Sequence, residues 1–284
     1  MTETRRISVK NAVYQRFETL LANRVKRHRA GAFIVEGVRN INEAIHNGWK
    51  IDSFLYARDK KLSGWAEGLL RNVVTRVNYE LTNALMEELS GKTDASELIA
   101  VVQMKDEAEE FFSGAPDPVI VLFDRPSNKG NLGTTIRSCD AFGAALLIIT
   151  GHSVDVYDPD VILSSVRSFF SLPFARLPDN SRVENFIANL RRCHPAIKII
   201  GTTARDEKNI FDIDLTSPTL FLIGNETDGL SRYFKNICDV LATIPMSETS
   251  AASSLNVSCA ASVALYEAAR QRSAARGERM VGKI

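Results

Sequence analysis

The chain has 284 residues, of which 45% are hydrophobic and 24% charged, with a formal net charge of +1. This is ordinary globular composition, and the length suits one large domain or two modest ones. No apolar run is long enough to cross a bilayer, and the start, MTETRRISVKNAVYQRFE, lacks the apolar core of a secretory signal, so a cytoplasmic protein is expected.

The charge is unevenly spread. Residues 1–29 carry Arg5, Arg6, Lys10, Arg16, Arg24, Lys26, Arg27 and Arg29 against Glu3 and Glu18, a local net of +6. Such an arm is either a solvated helix end or a set of phosphate contacts. NAVYQRFETLLANRV spaces Val13, Phe17, Leu20, Leu21 and Val25 as one helix. A strand at AFIVEG, a helix at VRNINEAIHNG and a strand at IDSFLYA follow. LSGWAEGLL, VVTRV, ELTNALMEELS and ELIAVVQM continue the alternation, which makes a compact α/β unit over residues 1–104. The acidic, then Gly- and Pro-containing stretch at 105–118 reads as a linker.

Beyond it, over 119–284, the apolar runs VIVLFD, ALLIIT, IKIIGTTA, TLFLIG and VLATIPM show little alternation, as strands buried on both faces of a parallel sheet do. The stretches GTTIRSCDAFG, PDVILSSVRSFF, VENFIANLRRC and LNVSCAASVALYEAARQR read as the intervening helices. The fold class is therefore α/β, with an open doubly wound sheet in the second unit. The cysteines (139, 193, 238, 259) form no C-x-x-C pair and the four histidines no zinc pattern, so reduced thiols and no metal are expected.

Three polar loops follow strands: DRPSNKGNLG, GNETDGLS and PMSETSAASSLN. In an open α/β sheet, ligands gather at the carboxyl ends of the strands, so these loops point to one composite site. The first offers only Gly130-x-x-Gly133, which falls short of the G-x-G-x-x-G of a nicotinamide enzyme, and no G-K-[ST] of a phosphate loop is present.

In order, N-x-G-N-x-G-x-x-x-R, G-N-E-x-x-G-L and I-P-M followed by S-L-N-V-S resemble the motif triplet of the SpoU (TrmH-type) branch of the SPOUT methyltransferases. The likeness covers most of Asp124–Arg270. RRISVKNAVYQRFETLLANRVKRHRAGAFIVEGVRNI, GWKIDSFLY and DVYDPDVILSSVRSFFSLP extend it to nearly the whole chain and look like avilamycin-resistance methyltransferases of 23S ribosomal RNA. The resemblance implies a small ribosomal-protein-like substrate-binding domain and a catalytic domain with a trefoil knot. It also implies a homodimer, S-adenosylmethionine as cofactor and a ribose 2′-hydroxyl of 23S ribosomal RNA as acceptor, with resistance to a ribosome-targeting antibiotic as a possible consequence. Transfer RNA as substrate, or RNA binding without catalysis, are the alternatives.

Roles follow from the same resemblance. Arg137 matches the catalytic arginine, and Asn131, Glu226, Ser254 and Asn256 the other polar active-site positions. Gly224, Ile244 and Leu255 match the backbone groups around the adenine, with Thr202, Asn225 and Met246 beside them. With an RNA substrate implied, Lys10, Arg16, Arg24, Lys26, Arg27 and Arg29 become candidate phosphate contacts. A guanidinium is not deprotonated in proteins, so Arg137 is expected to act by charge, holding RNA and lowering the pKa of the hydroxyl. One departure stands out. The third motif lacks the family's usual glycine and is about two residues longer, so a bulge is expected near Glu248–Ala252.

Overall fold

The computed structural model describes residues 2–105, 116–204 and 207–278. It divides into two compact units, one of residues 1–106 with 155–171, the other of residues 107–154 with 172–284. Most of the expected linker lies outside the described residues.

The first unit is built on a five-stranded sheet, in the order β1 (Thr4–Ile7), β4 (Asn78–Leu81), β3 (Ile51–Ala57), β5 (Ile99–Gln103), β2 (Ala32–Glu36). β4 runs parallel to β1 and β3, while β5 is antiparallel to both β3 and β2. Strand β1 was not foreseen, and VVTRV is not a strand; the pairing residues begin at Asn78. The single helix expected at the start is two, α1 (Ala12–Ala22) and α2 (Arg24–Ala30). Asn23 divides them. Its amide closes α1 on the Thr19 carbonyl, and its side chain accepts from the Lys26 N–H as the N-cap of α2. Tyr14, Phe17 and Leu20 of α1 pack on Leu55, Tyr79 and Val101 of the sheet. Helices α3 (Val38–His46), α4 (Gly64–Asn72) and α5 (Asn83–Ser90) complete the unit.

Residues 155–171, which the sequence reading assigned to the second domain, pack within this first unit. They hold α7 (Pro159–Ser164) and a 3-10 turn at Ser168–Phe170. The one helix expected at PDVILSSVRSFF is broken where Val166 and Arg167 take positive φ of 46° and 73°. Phe169, Phe170 and Tyr157 form edge-to-face and tilted ring contacts with Phe33 and Trp49. The Trp49 indole N–H donates to the Phe170 carbonyl at 2.9 Å. The segment's apolar rings find their partners here, and that explains its placement.

The second unit carries seven parallel strands in the order β10 (Lys208–Asn209), β12 (Val240–Thr243), β9 (Lys198–Thr203), β11 (Thr219–Ile223), β6 (Val119–Phe123), β7 (Leu146–Thr150), β8 (Phe174–Leu177). Every residue of β6, β7 and β11 is buried, as expected of strands covered on both faces. Val183, Phe186 and Leu190 of α8 (Asn180–Cys193) and Phe234 of α9 (Arg232–Ile237) pack on this sheet. α6 (Lys129–Ala141) packs against α10 (Val257–Ala275). Strands β8 and β10 and helix α9 were not read from sequence, being short. Among the described residues no helix is long and apolar enough to cross a membrane. The four cysteines are free thiols.

Candidate active site

The three motif loops meet at one cleft of about 810 Å³ in the second unit, at the carboxyl ends of β9, β11 and β12. Its lining includes all six residues matched to the cofactor: Thr202, Gly224, Asn225, Ile244, Met246 and Leu255. Asn131, Glu226, Ser254 and Asn256 line it as well.

Glu226 ties the first two loops together. Its carboxylate accepts from the backbone N–H of Ser127 at 3.0 Å and of Asn128 at 3.1 Å, from the Ser127 hydroxyl at 2.8 Å and from Asn131 Nδ2 at 3.3 Å. Burial alone would raise its pKa, but the Ser127 amide and hydroxyl and the Asn131 amide stabilise the anion and hold it below the ordinary value. Asn131 then passes the link on, accepting from Asn256 Nδ2 at 3.1 Å. Asn256 is the N-cap of α10, its Oδ1 accepting from the Ser258 N–H and hydroxyl. A single chain of side-chain hydrogen bonds, Glu226–Asn131–Asn256, thus spans all three motifs.

The first motif is less of a loop than its composition suggests. Asn128 caps α6, its Oδ1 accepting from the Asn131 N–H, so Gly130, Asn131 and Gly133 are already helical. Asn131 is rigid because it stands on the first turn of a helix. In the second motif, Asn225 and Gly229 exchange backbone hydrogen bonds at 3.0 Å in both directions, closing the turn. A Cβ on Gly224 would lie 2.2 Å from the Gly229 carbonyl carbon and 2.3 Å from the Leu230 nitrogen, so only glycine fits there. In the third motif, residues 247–254 are all exposed. Their extra length is taken up locally, by Ser247 Oγ with Thr249 Oγ1 at 2.9 Å and the Ser250 N–H to the Ser247 carbonyl at 2.9 Å. The bulge faces outward, and Met246, Ser254 and Leu255 keep their places in the cleft wall.

Arg137 does not line the cleft. It lies six residues beyond Asn131 on α6 and is exposed. At about 100° per residue, six residues turn the helix well away from the face of Asn131. Arg137, matched by resemblance to the catalytic arginine, thus stands apart from the cleft wall that Asn131 forms.

The basic arm of the first unit divides. Arg27 is a correction: it is 1% exposed, pairs with Asp155 at 2.8 Å and Asp158 at 3.3 Å, and donates to the carbonyls of Leu20 and Leu21. A guanidinium so enclosed is not a phosphate contact. Lys10 is paired with Glu88 and Glu18. Arg16 and Arg24 are half-buried, while Lys26 and Arg29 are exposed.

Sequence reasoning missed Ser127 and Asn128, which seat Glu226, and Gly229 and Leu230, which press on Gly224. The helix-capping Asn128 was legible from its place three residues ahead of Asn131. The close approach at Gly224 was not, because it joins backbone segments through the turn.

The fit to an adenosyl cofactor is physical. Gly224 leaves backbone groups bare, Ile244 and Leu255 offer apolar surface, and the Thr202 and Asn225 side chains stand nearby. The SpoU rRNA Methylase family matches residues 118–266, and the SpoU L30e-like domain matches residues 11–100. A 23S rRNA (uridine(2479)-2′-O)-methyltransferase of Streptomyces viridochromogenes is 45% identical over 269 residues, 94% of this chain and 93% of that protein. The crystal structure of the SpoU methyltransferase AviRb from Streptomyces viridochromogenes, in complex with the cofactor AdoMet, aligns with a TM-score of 0.87 at 44% identity, over 95% of this chain and 100% of that one. The 23S rRNA (guanosine-2′-O-)-methyltransferase RlmB of Pseudomonas syringae pv. tomato is 29% identical over 78% of each chain.

Proposed function

The chain belongs to the SpoU rRNA methylase family, and from that premise we propose that it transfers a methyl group from S-adenosylmethionine to a ribose 2′-hydroxyl of 23S ribosomal RNA. The observation that carries this reading is the convergence of three separate motifs on one cleft, joined by the Glu226–Asn131–Asn256 chain. The likeness to a resistance enzyme extends the proposal to protection of the ribosome against an antibiotic.

The bound cofactor supplies an electrophilic methyl on a sulfonium. The protein's share is to hold and orient. Gly224, Asn225, Thr202, Ile244, Met246 and Leu255 form the cofactor wall. Asn131, Ser254 and Asn256 present hydroxyl and amide groups toward an incoming ribose, with Glu226 fixing their geometry as an anion. Arg137 supplies positive charge to the RNA and favours the ionised hydroxyl.

A homodimer supports that last role. The α6–α10 pair exposes Val263 and Tyr266, and the Tyr266 ring packs edge-on against Phe142 at 5.9 Å. In this reading the pair is where a second copy docks, and Arg137, on α6 and outside its own chain's cleft, serves the cleft of that copy. The trefoil knot is part of the same reading: β12 pairs with β9 rather than with its sequence neighbour β11, and α10 then returns to α6. RNA selection falls to the first unit, with Lys26 and Arg29 as phosphate contacts and Lys10, Arg16 and Arg24 in support.

The test is transfer of labelled methyl from S-adenosylmethionine to deproteinised bacterial RNA and to intact ribosomal subunits, separated by size. Label in the 23S band, mapped to a ribose by primer extension, is the expected outcome. Label confined to transfer RNA would overturn the substrate, and no label in either preparation would overturn the activity.

A further inference from the structure

A second cavity, of about 300 Å³, opens at the carboxyl ends of β6, β7 and β8. It flanks the cofactor cleft across the Gly224–Ser231 loop: Leu230 lines the cleft and Ser231 the second cavity. None of the motif roles accounts for it.

One wall is unusually built. Asp124, 1% exposed, accepts from Arg125 Nε and Nη2, both at 3.0 Å, and from the Thr150 hydroxyl at 2.9 Å. Arg125 holds a φ of +46°, a conformation that side chains other than glycine rarely take. Its side chain lies against Gly151, where an added Cβ would sit 2.8 Å from Arg125 Cγ. Strain of this kind concentrates where a site must be held in shape. The Arg125 carbonyl also accepts from Asn225 Nδ2 at 2.7 Å, which couples this wall to the cofactor loop. The result is a guanidinium locked in plane by a buried carboxylate. Of its five N–H donors, Asp124 uses two.

The other wall is mainly apolar and aromatic, with Leu177, Pro178, Tyr233 and Phe234, and its one carboxylate, Asp179, caps α8 by accepting from the Arg182 N–H at 2.9 Å. The Tyr233 hydroxyl donates to Glu184 at 3.2 Å and to the Asn180 carbonyl at 3.4 Å, which fixes the ring. Asn180 adds an amide at the rim.

A free inorganic anion would need no aromatic wall, and an apolar ligand would need no oriented guanidinium. Among the described residues no group of side chains could hold a metal ion. An anionic phosphate joined to a flat polar-edged ring satisfies both walls, and bases are commonly held by stacking on aromatic side chains. We propose that this cavity seats one nucleotide of the RNA substrate beside the methylated ribose, Arg125 taking its phosphate and Tyr233 with Asn180 its base. This rests on the methyltransferase reading and adds to it a second point of grip on the RNA.

The test uses the full chain with S-adenosylmethionine. Tyr233→Ala, Asn180→Ala and Arg125→Lys, which keeps a cation on Asp124, are compared with the conservative Tyr233→Phe. Tyr233→Ala and Arg125→Lys are expected to raise KM for 23S RNA about tenfold, with cofactor affinity by calorimetry unchanged and Tyr233→Phe near wild type. Uridine 5′-monophosphate should compete with RNA and not with S-adenosylmethionine. RNA KM within twofold of wild type in Tyr233→Ala, Asn180→Ala and Arg125→Lys alike would overturn the proposal. If the wild type methylates no RNA, the methyltransferase reading fails by itself. The cavity is then judged by binding of the mononucleotide: loss in Arg125→Lys keeps the proposal, and no binding to the wild type sinks it.

Discussion

Helices α2 and α6 each carry an arginine, and their surroundings put the two to opposite uses. Arg27 on α2 is 1% exposed and lies between two carboxylates brought from residues 155 and 158. Arg137 on α6 is exposed and makes no ion pair among the described residues. Burial shields the first from solvent, so its charge must be matched within the fold. The second remains solvated and free to meet a polyanion. The same side chain is therefore a structural clamp in one unit and, in the proposed mechanism, a charge offered to RNA in the other, and the difference is made by distant residues rather than by its neighbours in sequence.

Breaking the clamp should produce the largest effect. Arg27→Ala leaves Asp155 buried with His28 but without its guanidinium partner, and is expected to cost about 3–5 kcal/mol, read by denaturant unfolding. The same pair sets a pH dependence. Burial would raise the Asp155 pKa, but hydrogen bonds from His28 and Arg27 outweigh it and hold the carboxyl below its ordinary 3.8. The stabilisation is complete above that value and lost as pH falls through the depressed one. Wild-type stability should thus drop on acidification below about pH 4, and Asp155→Asn should flatten that drop. Methyl transfer by whatever folded Arg27→Ala protein remains should keep its chemical rate, because Arg27, Asp155 and Asp158 are not among the residues that line the cleft.

Arg137→Ala should do the reverse, leaving stability within about 0.5 kcal/mol of wild type as an exposed substitution does. Its kcat on RNA should fall about 10²–10³-fold, the usual consequence of removing one electrostatic donor to a developing charge. Near-normal turnover would remove the arginine from the mechanism. Glu226→Gln lies between the two. It weakens the anion that gathers Ser127, Asn128 and Asn131, and since the group is only partly buried the low end of the charged hydrogen-bond range applies, about 1.5 kcal/mol. That should appear as about a tenfold loss in cofactor affinity by calorimetry. Wild-type affinity should be constant above pH 4.5 and decline as pH falls through the depressed Glu226 pKa, a decline the glutamine variant lacks.

These outcomes also mark how far the sequence was legible. The apolar runs of β6, β7, β9, β11 and β12 were plain because burial on both faces leaves no polar alternation. Ten residues matched through the family resemblance line one cleft, because the strands that lead into them end at the same edge of one sheet. Short edge strands such as β8 and β10 carry too few residues to show a period. The placement of residues 155–171 in the first unit depends on pairing Phe169, Phe170 and Tyr157 with Phe33 and Trp49, more than a hundred positions away, which no local pattern encodes. Arg27 was misread for the same reason. Its dense basic neighbourhood, NRVKRHR, resembles a phosphate-binding arm, and the two carboxylates that claim it lie across the chain.

The smallest effect sharpens the contrast within α2 itself. Lys26, Arg27 and Arg29 are close in sequence, yet only Lys26 and Arg29 are exposed. Each cation that contacts an RNA phosphate releases counterions on binding, so its removal lowers the slope of log affinity against log salt by roughly one. Lys26→Ala with Arg29→Ala should reduce the slope by about two and leave the unfolding free energy nearly unchanged. Arg27→Met, which replaces the buried charge with an apolar chain of similar length, should leave the slope intact while altering stability. Equal slopes for the double variant and wild type would make the exposed face of α2 a solvated helix end. The RNA contacts of the first unit would then have to lie on other elements.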